Sequence, residues 1–221
     1  MRLSDLVPAS MAVRKKGVKI LVYGKAGCGK TPLLATAPAP VILSTEGGLL
    51  SLANSDVPVY ISKSFDDTME FLRWWIGNEE SRRFQTLCID SLSEMTTQCL
   101  NALDKDTSIK SKLQVYGKLA ESIYRIVSKL HDEDDRNLVC LAKIGKSLNE
   151  DGVETFRPMF EGSKLESLIP HKFDEILYMK DGKLHTRENP YFHARDRSGK
   201  LGEQEEANLT QIITKLTLWE K

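Results

Sequence analysis

Gly24, Lys25, Ala26, Gly27, Cys28, Gly29, Lys30 and Thr31 read GKAGCGKT, which fits G-x-x-x-x-G-K-[ST] at every fixed position. That pattern holds a polyphosphate. Gly24, Gly27 and Gly29 let the backbone curl so that successive N–H groups face an anion. A helix starting at Gly29–Lys30 adds partial positive charge at the same spot. Lys30 reaches toward the β- and γ-phosphates, and the Thr31 hydroxyl is placed to hold Mg²⁺. Pro32 falls in the first helical turn, where a missing N–H costs little. Two acids end later apolar runs. Asp90 closes TLCID and is expected beside the first strand, its carboxylate binding Mg²⁺-bound water. Glu46 follows PVILST, where a carboxylate can orient or deprotonate a water attacking the γ-phosphate. Gly47 and Gly48 leave room there. Glu94 is the rival acid, expected to face solvent on a helix starting at Ser91. Ser91 itself either assists the metal or caps that helix.

The elements that position these residues alternate. Apolar runs at 18–24, 40–45, 58–62, 85–90 and 137–143 read as strands. Helical spacing marks 66–78, 91–103 and 119–132, with a further start at GGLLSLA. Short apolar strands separated by helices indicate a mainly parallel sheet covered by helices. After residue 144 the pattern changes. GVETFRPMF reads as extended, GSKLESLIP as a short helix ended by Pro170, and FDEILYMKDGKLHTR as two strands turning at Asp181–Gly182. YFHARDR is one more strand candidate. The tail ANLTQIITKLTLW is an amphipathic helix docking Ile212, Ile213 and Leu216. The C-terminal third is expected to continue the sheet with antiparallel strands. SLNEDG, 147–152, is the best linker candidate. Residues 1–17 read as an N-terminal extension and 18–221 as one domain.

Composition narrows the class. The 221 residues carry 31 basic and 31 acidic side chains, so no global charge draws the chain to nucleic acid or membrane. No apolar stretch approaches membrane-spanning length, and the N-terminus lacks the apolar core of a secretion signal. Cys28, Cys88, Cys99 and Cys140 are scattered without a C-x-x-C pair, as expected for reduced thiols in the cytoplasm. The four histidines share no ligand spacing, so no metal beyond Mg²⁺ is expected. Trp74 and Trp75 read as one rim and one core residue rather than a binding platform. No N-K-x-D motif for guanine is present, which leaves adenine, hence ATP, as the default.

The order GKAGCGKT, ILSTEGG, LCIDS resembles the core of RecA-type ATPases. FRPMFEGSKLESLIPHKFDEILYM and ARDRSGKL extend the resemblance to a narrower group. These are phage ATP-binding proteins of the AAA superfamily that include core-only RecA-like single-strand annealing proteins. The resemblance implies a RecA-like P-loop NTPase of the α/β class, a mainly parallel sheet flanked by helices with antiparallel C-terminal strands. It implies Lys30 and Thr31 as phosphate and magnesium ligands, Asp90 as the magnesium acid, and Glu46 as the water-activating acid. The end of NLVCLAK would sense the γ-phosphate, with Lys143 or Lys146 standing where RecA proteins carry Gln. A lysine there contacts phosphate as a point charge but accepts no hydrogen bond from water. Arg197 or Lys200, beside Arg195, would complete a neighbour's site in trans, or line the adenine edge in cis.

The resemblance also implies a homo-oligomer or filament, a single-stranded DNA-binding protein as a further partner, and the host cytoplasm if phage-encoded. Single-stranded DNA would lie on two segments. The first, 104–118, carries Lys105, Lys110, Lys112, Tyr116 and Lys118; the second, 143–158, carries Lys143, Lys146, Phe156 and Arg157. Lysines for phosphates and an aromatic for base stacking are the needed ingredients, but both segments also contain acids. The expectation is therefore a Mg²⁺-dependent ATPase in DNA recombination or single-strand annealing. The alternatives are a loader ATPase working through protein partners, and a small-molecule or nucleotide kinase.

Overall fold

In the computed structural model, the described residues are Leu6, Pro8, 17–148 and 152–218. Almost all of the expected N-terminal extension and the centre of SLNEDG lie outside them. The strands are β1 (Lys19–Gly24), β2 (Pro40–Ser44), β3 (Val59–Ile61), β4 (Thr86–Asp90), β5 (Asn137–Leu148), β6 (Glu154–Met159), β7 (Glu175–Lys180), β8 (Lys183–His185), β9 (Arg195–Asp196) and β10 (Gln204–Glu206). The helices are α1 (Lys30–Leu34), α2 (Phe65–Gly77), α3 (Leu92–Asp104), α4 (Lys112–His131), α5 (Ser163–Leu168) and α6 (Leu209–Thr217). The sheet runs β10-β8-β7-β1-β5-β4-β2-β3, with β6 on β5 and β9 on β7.

Five central strands are near-continuous apolar runs because helices cover both faces. On β1, Ile20 and Val22 enter one core with α1 and α6, while Leu21 and Tyr23 enter the other with α2, α3 and α4. The helices start at side-chain caps. Ser64, Ser91, Ser111 and Asn208 each accept from the backbone N–H three residues on, satisfying one orphan donor per helix. Ser111 starts α4 seven residues before the expected 119, and the buried face Val115, Leu119, Ile123, Val127 and Leu130 keeps helical spacing from there. Trp75 is buried under the Arg136 guanidinium at 3.7 Å, and Trp74 packs at the rim. Among the described residues no helix is long and apolar enough to cross a membrane.

Several expectations change. Asp90's strand is not beside β1: β5 lies between them, parallel to both. The C-terminal third does add the expected antiparallel strands β8, β9 and β10, but it joins the sheet through β7, which pairs parallel with β1 before turning back into β8. Asp181 and Gly182 make that turn with φ of 50° and 74°, the positive pair a tight hairpin requires. Of the expected linker 147–152, Ser147 and Leu148 belong to β5, whose pairing with β6 runs out to Leu148↔Glu154, and 149–151 lie outside the described residues. GGLLSLA gives only a 3₁₀ turn, Leu50–Leu52. Pro170 ends α5 by starting a 3₁₀ turn over Ile169–Lys172. YFHARDR contributes the two-residue β9 and isolated bridges at Phe192.

At the amino end of β7, Glu175 is 1% exposed and neither carboxyl oxygen has a hydrogen-bond partner of standard geometry. Burial, then repulsion from Asp196, pushes its pKa up to about 8. The folded protein thus keeps a proton that the unfolded chain releases near its ordinary value of 4.5. Stability should fall as pH rises between those two values and level off above the higher. Glu175→Gln removes the titration. Its melting temperature is expected about 5 °C above wild type at pH 8 and equal to it near pH 4.5 in thermal denaturation; a constant offset would contradict this assignment.

Candidate functional site

The parallel register brings the strand ends to one level. Tyr23 pairs with Ala142, Ile89 with Cys140, and Ser44 with Asp90. The segments after β1, β2, β4 and the middle of β5 therefore meet at the carboxyl edge, where open α/β sheets bind ligands. They enclose a cavity of about 620 Å³ whose lining includes Lys30, Thr31, Glu46, Asp90, Ser91 and Lys143. That volume is in the range of small-molecule sites.

The loop geometry explains two of its glycines. Gly24 lies so close to β7 that a Cβ there would sit 2.5 Å from the Met179 carbonyl oxygen. Gly29 opens α1 with φ of 98°, a left-handed conformation that glycine adopts without strain. Gly24, Ala26, Gly27, Gly29, Lys30, Thr31 and Pro32 line the cavity; Lys25 and Cys28 belong to the loop but not to that lining. The Lys30 ammonium donates to the carbonyls of Gly24 (2.9 Å) and Lys25 (2.8 Å).

Thr31 Oγ1 donates to Asp90 Oδ2 at 2.7 Å, reaching across β5. Asp90 is 5% exposed. Burial raises its pKa, the Thr31 bond opposes that, Glu46 adds to it, and Lys30 opposes it. A buried carboxylate and a hydroxyl converging on one point are hard oxygen donors suited to Mg²⁺, so the residues present fit that ion.

Glu46 is held by its neighbours. Ser91 Oγ donates to Glu46 Oε1 at 2.5 Å and accepts from the Glu94 N–H at 3.2 Å, so Ser91 caps α3 and orients Glu46 together. The Asp90–Ser91 peptide is cis. The Thr45 hydroxyl accepts from Ser91 N at 3.0 Å. Lys143 lies between two carboxylates, with Nζ 2.6 Å from Glu94 Oε2 and 3.6 Å from Glu46 Oε1. Burial works against its charge, but the Glu94 hydrogen bond and the Glu46 charge outweigh it and hold its pKa above the ordinary lysine range. Glu94 thus does not simply face solvent; it faces the site and is paired.

Other candidates fall elsewhere. Arg197 lies at the amino edge, 3.6 Å from Asp174 Oδ1. It follows β9, which pairs at the level of Glu175, and Glu175 pairs with Ile20 of β1. Gly24 is four residues further along β1, roughly 13 Å away. Arg197 therefore does not line the nucleotide cavity of its own chain, and the cis reading is corrected. Arg195 donates to the carbonyls of Pro170 and Phe173, and Lys200 to those of Leu216 and Leu218 at the end of α6. Lys146 is paired with Glu154 on the hairpin.

The two expected DNA segments also change shape. Of 104–118 only 105–111 is loop, the rest being the end of α3 and the start of α4. Of 143–158, residues 143–148 lie on β5 and 154–158 on β6, the two paired antiparallel, and Phe156 is half-buried against Tyr178 with Lys25 and Lys146 each within 6 Å of its ring. Thr45 and Ser93 carry roles that sequence reasoning missed. Their signal was hydroxyls bracketing the two strand ends, in ILSTEGG and IDSLSE.

Fold and site together define a P-loop NTPase. A family model described as AAA domain matches residues 16–198, and the chain belongs to that family. No curated protein matches it.

Two glycines separate close packing from mere backbone freedom. Gly24→Ala is expected to cost about 1–3 kcal/mol of stability and to weaken binding of a fluorescent nucleotide at least tenfold. Gly117→Ala, on α4 with open space around it, should stabilise by up to about 1 kcal/mol and leave binding unchanged. Unfolding curves with parallel titrations check both; normal nucleotide binding by Gly24→Ala would contradict the tight loop–β7 contact.

Proposed function

We propose that this protein binds ATP with Mg²⁺ and hydrolyses it, and that the reaction serves DNA recombination or single-strand annealing in a phage-encoded system. The observation that supports hydrolysis best is the grouping of Lys30, Thr31, Asp90 and Glu46 around one cavity, with Glu46 oriented by Ser91. Thr31 and Asp90 would hold the magnesium ion, which when bound supplies charge neutralisation at the phosphates. Lys30, whose hydrogen bonds go only to neutral carbonyls, is available to turn onto the β- and γ-phosphates. Glu46 accepts the proton of a water attacking the γ-phosphorus in line, as the bond to the β–γ bridging oxygen breaks. Ser91 fixes the carboxylate so that no reorientation is needed at the moment of reaction. Lys143, rather than Lys146, is the candidate for contact with the γ-phosphate, because it lines the cavity and Lys146 is engaged on the hairpin.

The recombination role rests on the resemblance and on the position of the β5–β6 hairpin. Its root, at Lys143, Ile144 and Met159, is a wall of the nucleotide cavity. Away from the cavity, Leu148 and Val153 are exposed. The hairpin thus runs from the wall of the nucleotide cavity to the surface, which is the placement a nucleotide-controlled contact with single-stranded DNA would use. A neighbouring copy, contributing Arg197 in trans, would complete the site in an oligomer or filament.

ATP turnover measured with and without single-stranded DNA tests this reading. The wild type should be stimulated by DNA in a salt-dependent manner, and Glu46→Gln should lose at least 100-fold in kcat with little change in nucleotide affinity. Absence of DNA stimulation and of DNA binding at low salt would remove the recombination role and favour a loader acting through protein contacts. Full turnover by Glu46→Gln would remove the assignment of the base.

A further inference from the structure

The first turn of α3 carries an interaction that the hydrolytic scheme does not require. Ser91-Leu92-Ser93-Glu94 has the form of a capping box, a serine followed three residues later by glutamate. In such a box the glutamate side chain returns to the serine N–H. Only half of it forms here. Ser91 Oγ accepts from Glu94 N at 3.2 Å, but the Ser91 N–H is already taken by Thr45 Oγ1 at 3.0 Å. The Glu94 carboxylate goes instead to Lys143, at 2.6 Å. The backbone of Lys143 is pinned separately: Ser93 Oγ accepts from its N–H at 2.8 Å and donates to the Met159 carbonyl at 2.6 Å. The root of the hairpin is thus fixed, and the lysine side chain is the part free to swing into the cavity it lines.

We propose that Glu94 is a positioning residue that competes with the terminal phosphate of the nucleotide for the Lys143 ammonium, and so sets how strongly the site prefers a triphosphate to a diphosphate. The proposal rests on nucleotide binding at the phosphate loop as read above. A flexible four-carbon stem carrying a point charge turns readily between acceptors. The two lysines of the cavity differ in what they must leave. Lys30 gives up neutral carbonyls, and does so for any polyphosphate. Lys143 gives up the hydrogen-bonded Glu94 carboxylate at 2.6 Å, with Glu46 further off at 3.6 Å, and does so only for a ligand long enough to reach it. A diphosphate ends one phosphoryl group short. Glu94 therefore acts on triphosphate binding alone, through Lys143. The side chains of Lys143 and Glu94 are 41% and 28% exposed, so this is a partly screened pair whose loss changes an affinity by about fivefold or less.

Equilibrium titrations of the full chain with a fluorescent non-hydrolysable ATP analogue and with the matching ADP derivative, both with Mg²⁺, test the proposal. Glu94→Gln keeps the α3 cap, because that bond uses the peptide N–H. It should tighten the triphosphate about fivefold and leave the diphosphate unchanged. Lys143→Met should weaken the triphosphate by a similar factor and leave the diphosphate unchanged. In the Lys143→Met background, Glu94→Gln should have no further effect. A purely structural role would weaken both ligands together. Equal effects on the two ligands, weaker triphosphate binding by Glu94→Gln, or effects that add in the double variant would each overturn the proposal. Wild-type protein that binds neither ligand would overturn this proposal and the reading beneath it together, whereas binding of both with an unaltered ratio in Glu94→Gln overturns the proposal alone.

Discussion

The hydrogen bond from Thr31 to Asp90 joins residues 59 positions apart, across an intervening strand. It forms only if β1, β5 and β4 end at the same height, and their register is set by the alternating burial of Ile20, Leu21, Val22 and Tyr23 against two helical layers. A one-residue slip of β4 would send the inward residues to the wrong face and carry Asp90 away from the loop. The polar site is therefore a consequence of apolar packing beneath it. The close approach of Gly24 to Met179 belongs to the same constraint, because it fixes the phosphate loop against β7 on the other flank.

Charge is distributed unevenly around the cavity. Asp90, Glu46 and Glu94 converge from three segments, while Lys30 and Lys143 face them. Asp90 is the most buried of the three, and that burial raises its pKa, with the Glu46 charge adding to it. Hydroxyl groups manage the crowding. Thr31, Thr45 and Ser91 each spend a donor on a carboxylate or strand-end carbonyl. These groups hold the acids in place without adding charge, leaving the two ammonium groups to respond to ligand.

Much of this was legible in the sequence. The motif GKAGCGKT named the loop, and the apolar runs at 18–24, 40–45, 85–90 and 137–143 named four buried parallel strands, because such a strand needs an uninterrupted apolar run; the fifth run, 58–62, is the half-exposed edge strand β3. Asp90 and Glu46 were legible as acids at strand ends. The position of β5 between β1 and β4 was not, since strand order depends on how helices pack and no local pattern encodes it. The parallel pairing of β7 with β1 was hidden for the same reason. Glu94 was misread because its capping-box spacing is normally satisfied locally; the diversion arises only when Thr45, on another strand end, takes the Ser91 N–H. Arg197 was a candidate through the resemblance, and its cis reading fails because β9 pairs with the amino end of β7, at the opposite edge of the sheet.

The structure of this chain bound to a non-hydrolysable ATP analogue and Mg²⁺ is the most direct test of the central claim. It should show the polyphosphate in the Gly24–Thr31 loop, the metal against Thr31 and Asp90, and Lys30 turned from its loop carbonyls onto the phosphates. A polyphosphate bound elsewhere, or a saturated complex in which Lys30 still holds the carbonyls of Gly24 and Lys25, would contradict it.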